Sequence, residues 1–102
     1  MNDSKMEFGF NEERIIKDGE YTVEEIWKML DEVMNERHLY STSQGLYEGV
    51  YKEHAGDYVS AMVHLTGLTW FRKYCKKWLY TNPSEDEVDD AYLSMKECNL
   101  LL

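Results

Sequence analysis

Side chains that commonly bind metal ions or perform catalysis are few in this chain and lie far apart in the sequence. The candidates are His38, His54, His64, Cys75 and Cys98. None of them stands in the HExxH, CxxC or Asp-rich loop spacings that build zinc and calcium sites. Glu53 and His54 are adjacent, so on a helix their side chains would point about 100° apart. We therefore expect no catalytic residue, no metal and no other cofactor, and we predict that the chain is not an enzyme.

A basic and aromatic segment over residues 70–80 has the composition of a nucleic-acid contact. Its candidate binding residues are Arg72, Lys73, Tyr74, Lys76 and Lys77. On a helix the four basic residues would share one face, and Tyr74 beside them could stack on a base. A formal net charge of −9 works against binding a phosphate backbone. We therefore favour a basic face neutralised by neighbouring acidic helices, with nucleic-acid binding as the alternative.

Acidic residues surround this segment on both sides in the sequence. The chain has 20 acidic and 11 basic side chains, yet residues 58–83 contain no acid. The candidate protein-binding residues are Glu24, Asp31, Glu32, Glu85, Asp86, Asp89 and Asp90. They predict two acidic helix faces that dock onto a basic partner, because surface charge steers association and specificity.

The leading hypothesis for function is therefore a small, acidic, non-enzymatic accessory or regulatory protein that binds another protein. The partner would be a protein with a basic surface, and contact between basic and acidic faces also permits a homo-oligomer. A further alternative is mimicry of DNA, in which dense carboxylates imitate phosphates and occupy a DNA-binding protein.

Residues 21–30, YTVEEIWKML, resemble the opening of the helix-turn-helix in excisionase and MerR-like DNA-binding domains. That resemblance implies a tight turn followed by a recognition helix rich in Ser, Thr and Arg. Residues 31–36, DEVMNE, instead continue the helix with acids. A capping box before an amphipathic helix explains the match, so we do not assign the chain to that family.

Neither a secretion signal nor a membrane span is expected. Residues 1–13 have no apolar core of a signal peptide, and the longest uncharged stretch, residues 58–71, is too short to cross a bilayer. Two cysteines do not make a disulfide framework, and reduced core thiols are the expectation for both. We predict a cytoplasmic protein.

The clearest element is a helix over residues 23–36. Thr22 and Glu25 have the spacing of a capping box, and apolar residues then recur at helical intervals. Similar patterns predict helices near 44–54, 57–80 and 85–98. Residues 1–20 are expected to be loosely ordered or to form a short hairpin that turns at Asp18-Gly19.

These elements predict an all-α fold: one domain over residues 1–102, a bundle of three to four helices with a ragged or hairpin-like N-terminus. The uncharged segment 58–71 would make helix 57–80 the central and most buried one. The segment 46–66 also alternates as strands do, so the alternative is an α+β fold with strands near 46–52 and 58–65.

Overall fold

The fold is α+β, and the all-α prediction is wrong. A computed structural model describes residues 3–82 and 87–102. The strands are β1 (Ser4–Phe10), β2 (Ser41–Ser43), β3 (Leu46–Gly49), β4 (Cys75–Asn82) and β5 (Glu87–Asp90). The helices are α1 (Glu12–Asp18), α2 (Val23–Asn35), α3 (Tyr51–Thr66), α4 (Thr69–Tyr74) and α5 (Ala91–Glu97).

The five strands form one antiparallel sheet in the order β2-β3-β1-β4-β5. The central strand β1 pairs with β3 and β4, and its Phe8 stands opposite Trp78. Alternate residues of β1 are buried, from Ser4 to Phe10, so one sheet face meets the core and the other meets solvent. The expectation that residues 1–20 are loose or form a hairpin is therefore wrong: the segment 4–10 is the middle of the sheet.

The predicted helix 57–80 is three elements. Residues 58–66 lie in α3, residues 69–74 form α4, and β4 begins at Cys75. Trp78 and Tyr80 of β4 are buried on the core side, Leu79 between them is only half-buried, and Lys77 is exposed. Apolar residues at 71, 75, 78 and 79 satisfy a helical period as well, and pairing with β1 selected the strand.

The predicted helix 44–54 is wrong over residues 46–49, which form β3, whereas its residues 51–54 lie in α3. Ser43 pairs with Leu46 across a two-residue turn, so Gly45 closes a hairpin between β2 and β3. Gly45 has φ 79°, and a Cβ there would lie 2.7 Å from the Phe8 carbonyl oxygen. Only glycine tolerates both the positive φ and the close carbonyl oxygen. These two constraints explain why the chain has a glycine at position 45. The alternative fold was right that a strand occupies 46–49, but it was wrong that 58–65 is a strand.

Helix α2 agrees with the sequence pattern. The Thr22 hydroxyl accepts from the Glu25 amide, and the Glu25 carboxylate accepts from the Thr22 amide, so the predicted capping box is confirmed. Asp18-Gly19 instead ends α1, where Gly19 takes the left-handed conformation of a helix C-cap. The predicted helix 85–98 is wrong over residues 87–90, which form β5, and its first two residues lie outside the described part of the chain.

The core lies between the sheet and the helices on its inner face. Its centre is aromatic. The Phe71 ring of α4 packs edge-on against Trp78 with ring centroids 5.0 Å apart, and the ring centroids of Phe10 and Trp27 of α2 are 4.8 Å apart. Tyr58 of α3 lies 5.1 Å from Tyr80 of β4. Three helices thus contact the same sheet face, which leaves the opposite face to solvent.

Candidate functional site

The acidic residues proposed on α2 have different surroundings. Glu24 and Glu32 are exposed, as a protein-binding face requires. Asp31 is half-buried and accepts a short hydrogen bond from the Tyr47 hydroxyl of β3. Burial and then this hydrogen bond raise the pKa of Tyr47 above its ordinary value. Asp31 therefore ties α2 to the sheet and is less free to meet a partner.

The other described acidic candidates, Asp89 and Asp90, lie on β5 at the opposite side of the molecule from β3. Three strand spacings, roughly 14 Å, separate β3 from β5. Asp90 caps α5 by accepting from the Leu93 amide at 2.9 Å. Glu85 and Asp86 lie outside the described residues. The described acidic candidates therefore belong to two separate elements, α2 and β5, and not to the two helices that the sequence predicted.

The basic candidates do not share one helix face, because α4 ends at Tyr74 and β4 follows. Several are held by contacts within the chain. Arg72 donates to the Leu100 carbonyl at 2.7 Å, Lys73 lies 3.2 Å from the Asp18 carboxylate, and Lys77 lies 3.4 Å from Glu7. Lys76 is exposed.

Tyr74 cannot stack on a base in this structure, because its side chain is fully buried and its hydroxyl donates to Asp18 at 3.0 Å. Hydrogen bonds from Lys73 and then from Tyr74 lower the pKa of Asp18. Burial and then the hydrogen bond to Asp18 raise the pKa of Tyr74, and the Asp18 hydrogen bond raises that of Lys73. Asp18 is thus the anchor that holds two of the predicted binding residues.

A basic cleft nevertheless forms around Lys76, from residues that lie far apart in the sequence. One cavity of about 100 Å³ and a neighbouring one of about 290 Å³ share Lys76 and Tyr92 as lining residues. Arg14 lines the first and Lys96 lines the second. Sequence reasoning missed Arg14, Tyr92 and Lys96, because no local pattern connects α1, β4 and α5.

The uncharged side of α3 is exposed, contrary to the expectation that residues 58–71 form the most buried helix. We call it the α3 face and define it as Gly56, Val59, Ser60, Val63 and His64, all of which are exposed. The Val59 and Val63 side chains are 59% and 70% exposed, on consecutive turns. Tyr58, Ala61 and Leu65, on the other side of the helix, are fully buried.

Helix α2 contributes charged residues beside the α3 face. Arg37, just beyond α2, donates from Nε to the Ser60 hydroxyl at 3.1 Å. Its Nη1 lies 3.8 Å from the Glu36 carboxylate, and Glu36 is largely exposed. Glu53, one turn before Gly56 on α3, is exposed as well. Lys52, one turn before Gly56, is exposed too, so charges of both signs border the uncharged face.

An apolar cavity of about 340 Å³ lies between α3, α5 and β4. Met62, Trp78, Ala91, Met95 and Leu100 supply most of its wall, and Asp89 and Asp90 of β5 border it. Trp78 is 1% exposed, and its Nε1 has no hydrogen-bond partner in the part of the chain that the structure describes. Sequence reasoning missed this cavity, because residues 57–80 were assigned to one helix.

The two cysteines have different surroundings. Cys75 is buried, and desolvation raises the pKa of its thiol to about 12, so it is a neutral core residue at physiological pH. Cys98 is exposed, which corrects the expectation that both are core thiols. Its position follows from α5 ending at Glu97, so that Cys98 lies at the helix terminus.

The histidines do not converge with other potential ligands. His54 Nδ1 lies 3.1 Å from the Asp57 carboxylate, one turn along α3. Over residues 3–82 and 87–102, no three His, Cys, Asp or Glu side chains are grouped so that they could hold a metal ion. Within the same residues, every helix is too short or too polar to cross a membrane.

The surfaces with chemical character are therefore the α3 face, the basic cleft around Lys76 and the apolar cavity beside Trp78. Comparison with other proteins adds no constraint on their roles: the chain matches no protein-family model, no curated protein and no solved structure.

Proposed function

We propose that this chain is a non-enzymatic, cytoplasmic accessory protein that binds another protein through the α3 face. The observation that carries the proposal is the exposure of Val59 and Val63 on consecutive turns of a helix that has no charged residue after Asp57. Contiguous exposed apolar surface on a soluble domain commonly marks an interaction site. Helix faces that contact only water usually carry charged side chains, which keep the protein soluble, and the α3 face lacks them.

The net charge of the chain favours a basic partner. Glu36, Lys52 and Glu53 stand beside the uncharged centre, and Arg37 is already engaged with Ser60 and Glu36. An apolar centre with a charged rim is the ordinary anatomy of a protein interface. A second copy of the chain would bring the same carboxylates and the same net charge of −9. A partner with lysine or arginine around an apolar patch complements the face better.

The test is affinity capture from extract of the native host with the chain and two matched variants. Val63→Glu places a charge in the α3 face, and Ile16→Glu places one on α1, where Ile16 is 71% exposed against 70% for Val63. We expect Val63→Glu to reduce capture of the specific partner about tenfold or more, which corresponds to about 1.4 kcal/mol. Ile16→Glu should capture as the unmodified chain does.

Equal capture by both variants would show that the α3 face is not the binding surface. Sedimentation velocity on the purified chain tests whether a second copy of the chain covers the α3 face instead. A dimer that dissociates in Val63→Glu would mean that it does. Reversal of the rim, with Glu36→Lys and Glu53→Lys, should also weaken capture if the partner is basic. Unchanged capture after this reversal would contradict the proposed charge of the partner.

Nucleic-acid binding is the second candidate, and the basic cleft favours it. Lys76 and Lys96 are exposed and border cavities that share the half-buried Tyr92, an aromatic residue of the kind on which bases stack. The test is a mobility-shift assay with single- and double-stranded DNA at about 50 mM salt, where phosphate contacts are strongest. Lys76→Glu should abolish a shift, whereas Lys17→Glu on α1 should leave it. Absence of any shift with the unmodified chain would exclude this function.

A further inference from the structure

The smaller cavity of the basic cleft is surrounded by positive charge that the chain only partly neutralises. Four basic side chains line this cavity of about 100 Å³: Arg14, Arg72, Lys73 and Lys76. The Asp18 carboxylate lies 3.2 Å from Lys73 Nζ and 4.0 Å from Arg14 Nε. Arg14 Nη1 also donates to the Leu102 backbone oxygen at 2.8 Å. Contacts within the chain thus already engage Arg14 and Lys73.

Arg72 and Lys76 are the cations left for an external anion. Arg72 donates from Nε to the Leu100 carbonyl, but its two terminal nitrogens have no partner among the described residues. The Lys76 ammonium forms no ion pair with the same residues, and no described acidic side chain lines the cavity. An unpaired lysine on open surface is ordinary, whereas Arg72 is half-buried, and cations removed from water are usually paired. The two charges at one cavity therefore indicate a site for an anion.

The smaller cavity has the size and the charge for one terminal phosphate group. A cavity of about 150 Å³ in another protein accepts benzene, and a phosphate group is smaller than that ring. At pH 7 a terminal phosphate carries about −1.5 to −2 charges, which Arg72 and Lys76 together balance. An internal phosphodiester carries only about one negative charge, and its chain would have to leave the small cavity on two sides. Size and charge thus both favour a phosphate at the end of a molecule.

The neighbouring cavity of about 290 Å³ has room for the rest of such a ligand. The two cavities adjoin at Lys76 and Tyr92, which line both. Leu79 and Leu93 supply apolar wall, and the half-buried Tyr92 is an aromatic residue of the kind on which nucleobases stack. The charged lining of the larger cavity has both signs: Lys76, Lys77, Asp90 and Lys96. A neutral, partly apolar ring is therefore the group that suits the larger cavity.

We propose that the basic cleft binds a small phosphorylated molecule of mononucleotide size, with its terminal phosphate against Arg72 and Lys76 and its ring beside Tyr92. The lining residues come from α1, α4, β4, α5 and the segments that flank them, whereas α3, which the structure describes in full, lines neither cavity. The proposal therefore does not rest on capture of a protein by the α3 face. It also assigns the cleft a ligand other than nucleic acid, and competition with an oligonucleotide separates the two.

Calorimetric titration of the folded chain with three probes tests the two halves of the site. The probes are AMP, inorganic phosphate and adenosine, each at about 150 mM salt. AMP should bind about tenfold or more tightly than either of the other two, because it alone fills both cavities. Equal affinity for AMP and adenosine would refute the phosphate site, and equal affinity for AMP and inorganic phosphate would refute the role of the larger cavity. No binding of AMP at millimolar concentration would refute the whole proposal.

Two matched lysine variants test the position of the phosphate. Lys76→Gln removes a cation from the cavity, and Lys28→Gln removes one from α2, where Lys28 is exposed and lines neither cavity. We expect Lys76→Gln to weaken AMP binding about fivefold or more, and Lys28→Gln to leave it unchanged. Equal affinities of the two variants would overturn the assignment of the phosphate to this cavity.

Tyr92→Leu tests the contact with the ring, with inorganic phosphate as its internal control. AMP binding should weaken about threefold or more, whereas the affinity for phosphate should stay the same, because Arg72 and Lys76 are unchanged. AMP binding as tight as that of the unmodified chain would contradict stacking on Tyr92.

Competition decides between a terminal phosphate and a nucleic-acid backbone. A single-stranded oligonucleotide with hydroxyl groups at both ends contains only phosphodiesters. At the same nucleotide concentration as AMP, it should leave AMP bound, because none of its phosphates is at the end of a molecule. Displacement of AMP by this oligonucleotide would overturn the preference for a terminal phosphate and support nucleic-acid binding by the cleft instead.

Discussion

The two sides of α3 both lack charge over residues 58–66 but have opposite surroundings. Tyr58, Ala61 and Leu65 are fully buried against the sheet and its neighbouring helices. Val59 and Val63, on the other side, are mostly exposed. Absence of charge therefore does not distinguish a face buried within the chain from one that a partner could cover, and only the packing of the domain separates them.

The largest contrast should be in stability. Leu65→Ala removes a fully buried side chain and leaves a cavity, so we expect the free energy of unfolding to fall by about 2–5 kcal/mol. Val63→Ala, on the α3 face, should change it by less than about 0.5 kcal/mol. Urea denaturation followed by circular dichroism measures both. Equal losses in the two variants would mean that the α3 face is covered within the chain.

A second contrast uses a glycine of β3 that packs against α3 and a glycine on the exposed side of α3. A Cβ at Gly49 would lie 2.9 Å from His54 Cδ2 and 3.1 Å from the Tyr58 hydroxyl, so Gly49→Ala should destabilise the fold by about 1–3 kcal/mol. A Cβ at Gly56 would meet nothing within 4 Å. Gly56→Ala should therefore stabilise the fold by about 0.5–1 kcal/mol, because alanine favours a helix.

Thermal unfolding of these two variants gives the sign of each effect. Shifts in opposite directions would support the assignment of buried and exposed sides. A loss of stability in Gly56→Ala would show that this position also packs closely, and that the α3 face is narrower than Val59 and Val63 suggest.

The smallest expected effect on stability comes from a polar contact, that of Asp18 with Lys73 and Tyr74. Lys73 and Tyr74 hold the pKa of Asp18 below its ordinary value of 3.8. This contribution to stability is complete above that value and is lost as the pH falls through the lower pKa of the folded state. Asp18→Asn should therefore lose a little stability at pH 7 and depend less on pH in the acidic range than the unmodified chain.

Urea denaturation of Asp18→Asn at several acidic pH values checks this expectation. Because Asp18 lies near the surface, solvent screening keeps the effect well below that of Leu65→Ala. A pH dependence identical to that of the unmodified chain would show that the Lys73 and Tyr74 contacts contribute nothing to folding.

The predictability of the fold differs from segment to segment for physical reasons. Helix α2 was predictable because its cap and its apolar stripe are local in the sequence, and Thr22 and Glu25 satisfy each other without help from distant residues. Strand β1 was missed although Ser4, Met6, Phe8 and Phe10 alternate with outward residues, because a short segment is held as a strand only by its two partners far along the chain. The glycine signals had a structural meaning: Gly45 marks a hairpin turn and Gly49 a close approach to α3.

The candidate site shows the same division. The segment 70–80 was recognised as basic and aromatic, but its residues were assigned to one helix face, and pairing of β4 with β1 distributes them differently. Lys76 remains in a basic cleft, whereas Tyr74 is in the core. Arg14, Tyr92 and Lys96 join that cleft only through the packing of α1 and α5 around β4.

The sequence by itself determined the acidity of this protein, its uncharged segment, its capped helix α2 and the residue types available for binding. Those properties are set by single residues and by neighbours within one or two turns. Only the tertiary structure decided that residues 75–82 extend along β1, that half of α3 faces water, and that a basic cleft forms around Lys76. These outcomes depend on contacts between distant segments, because a strand has no internal hydrogen bonds and takes its stability from the strand beside it.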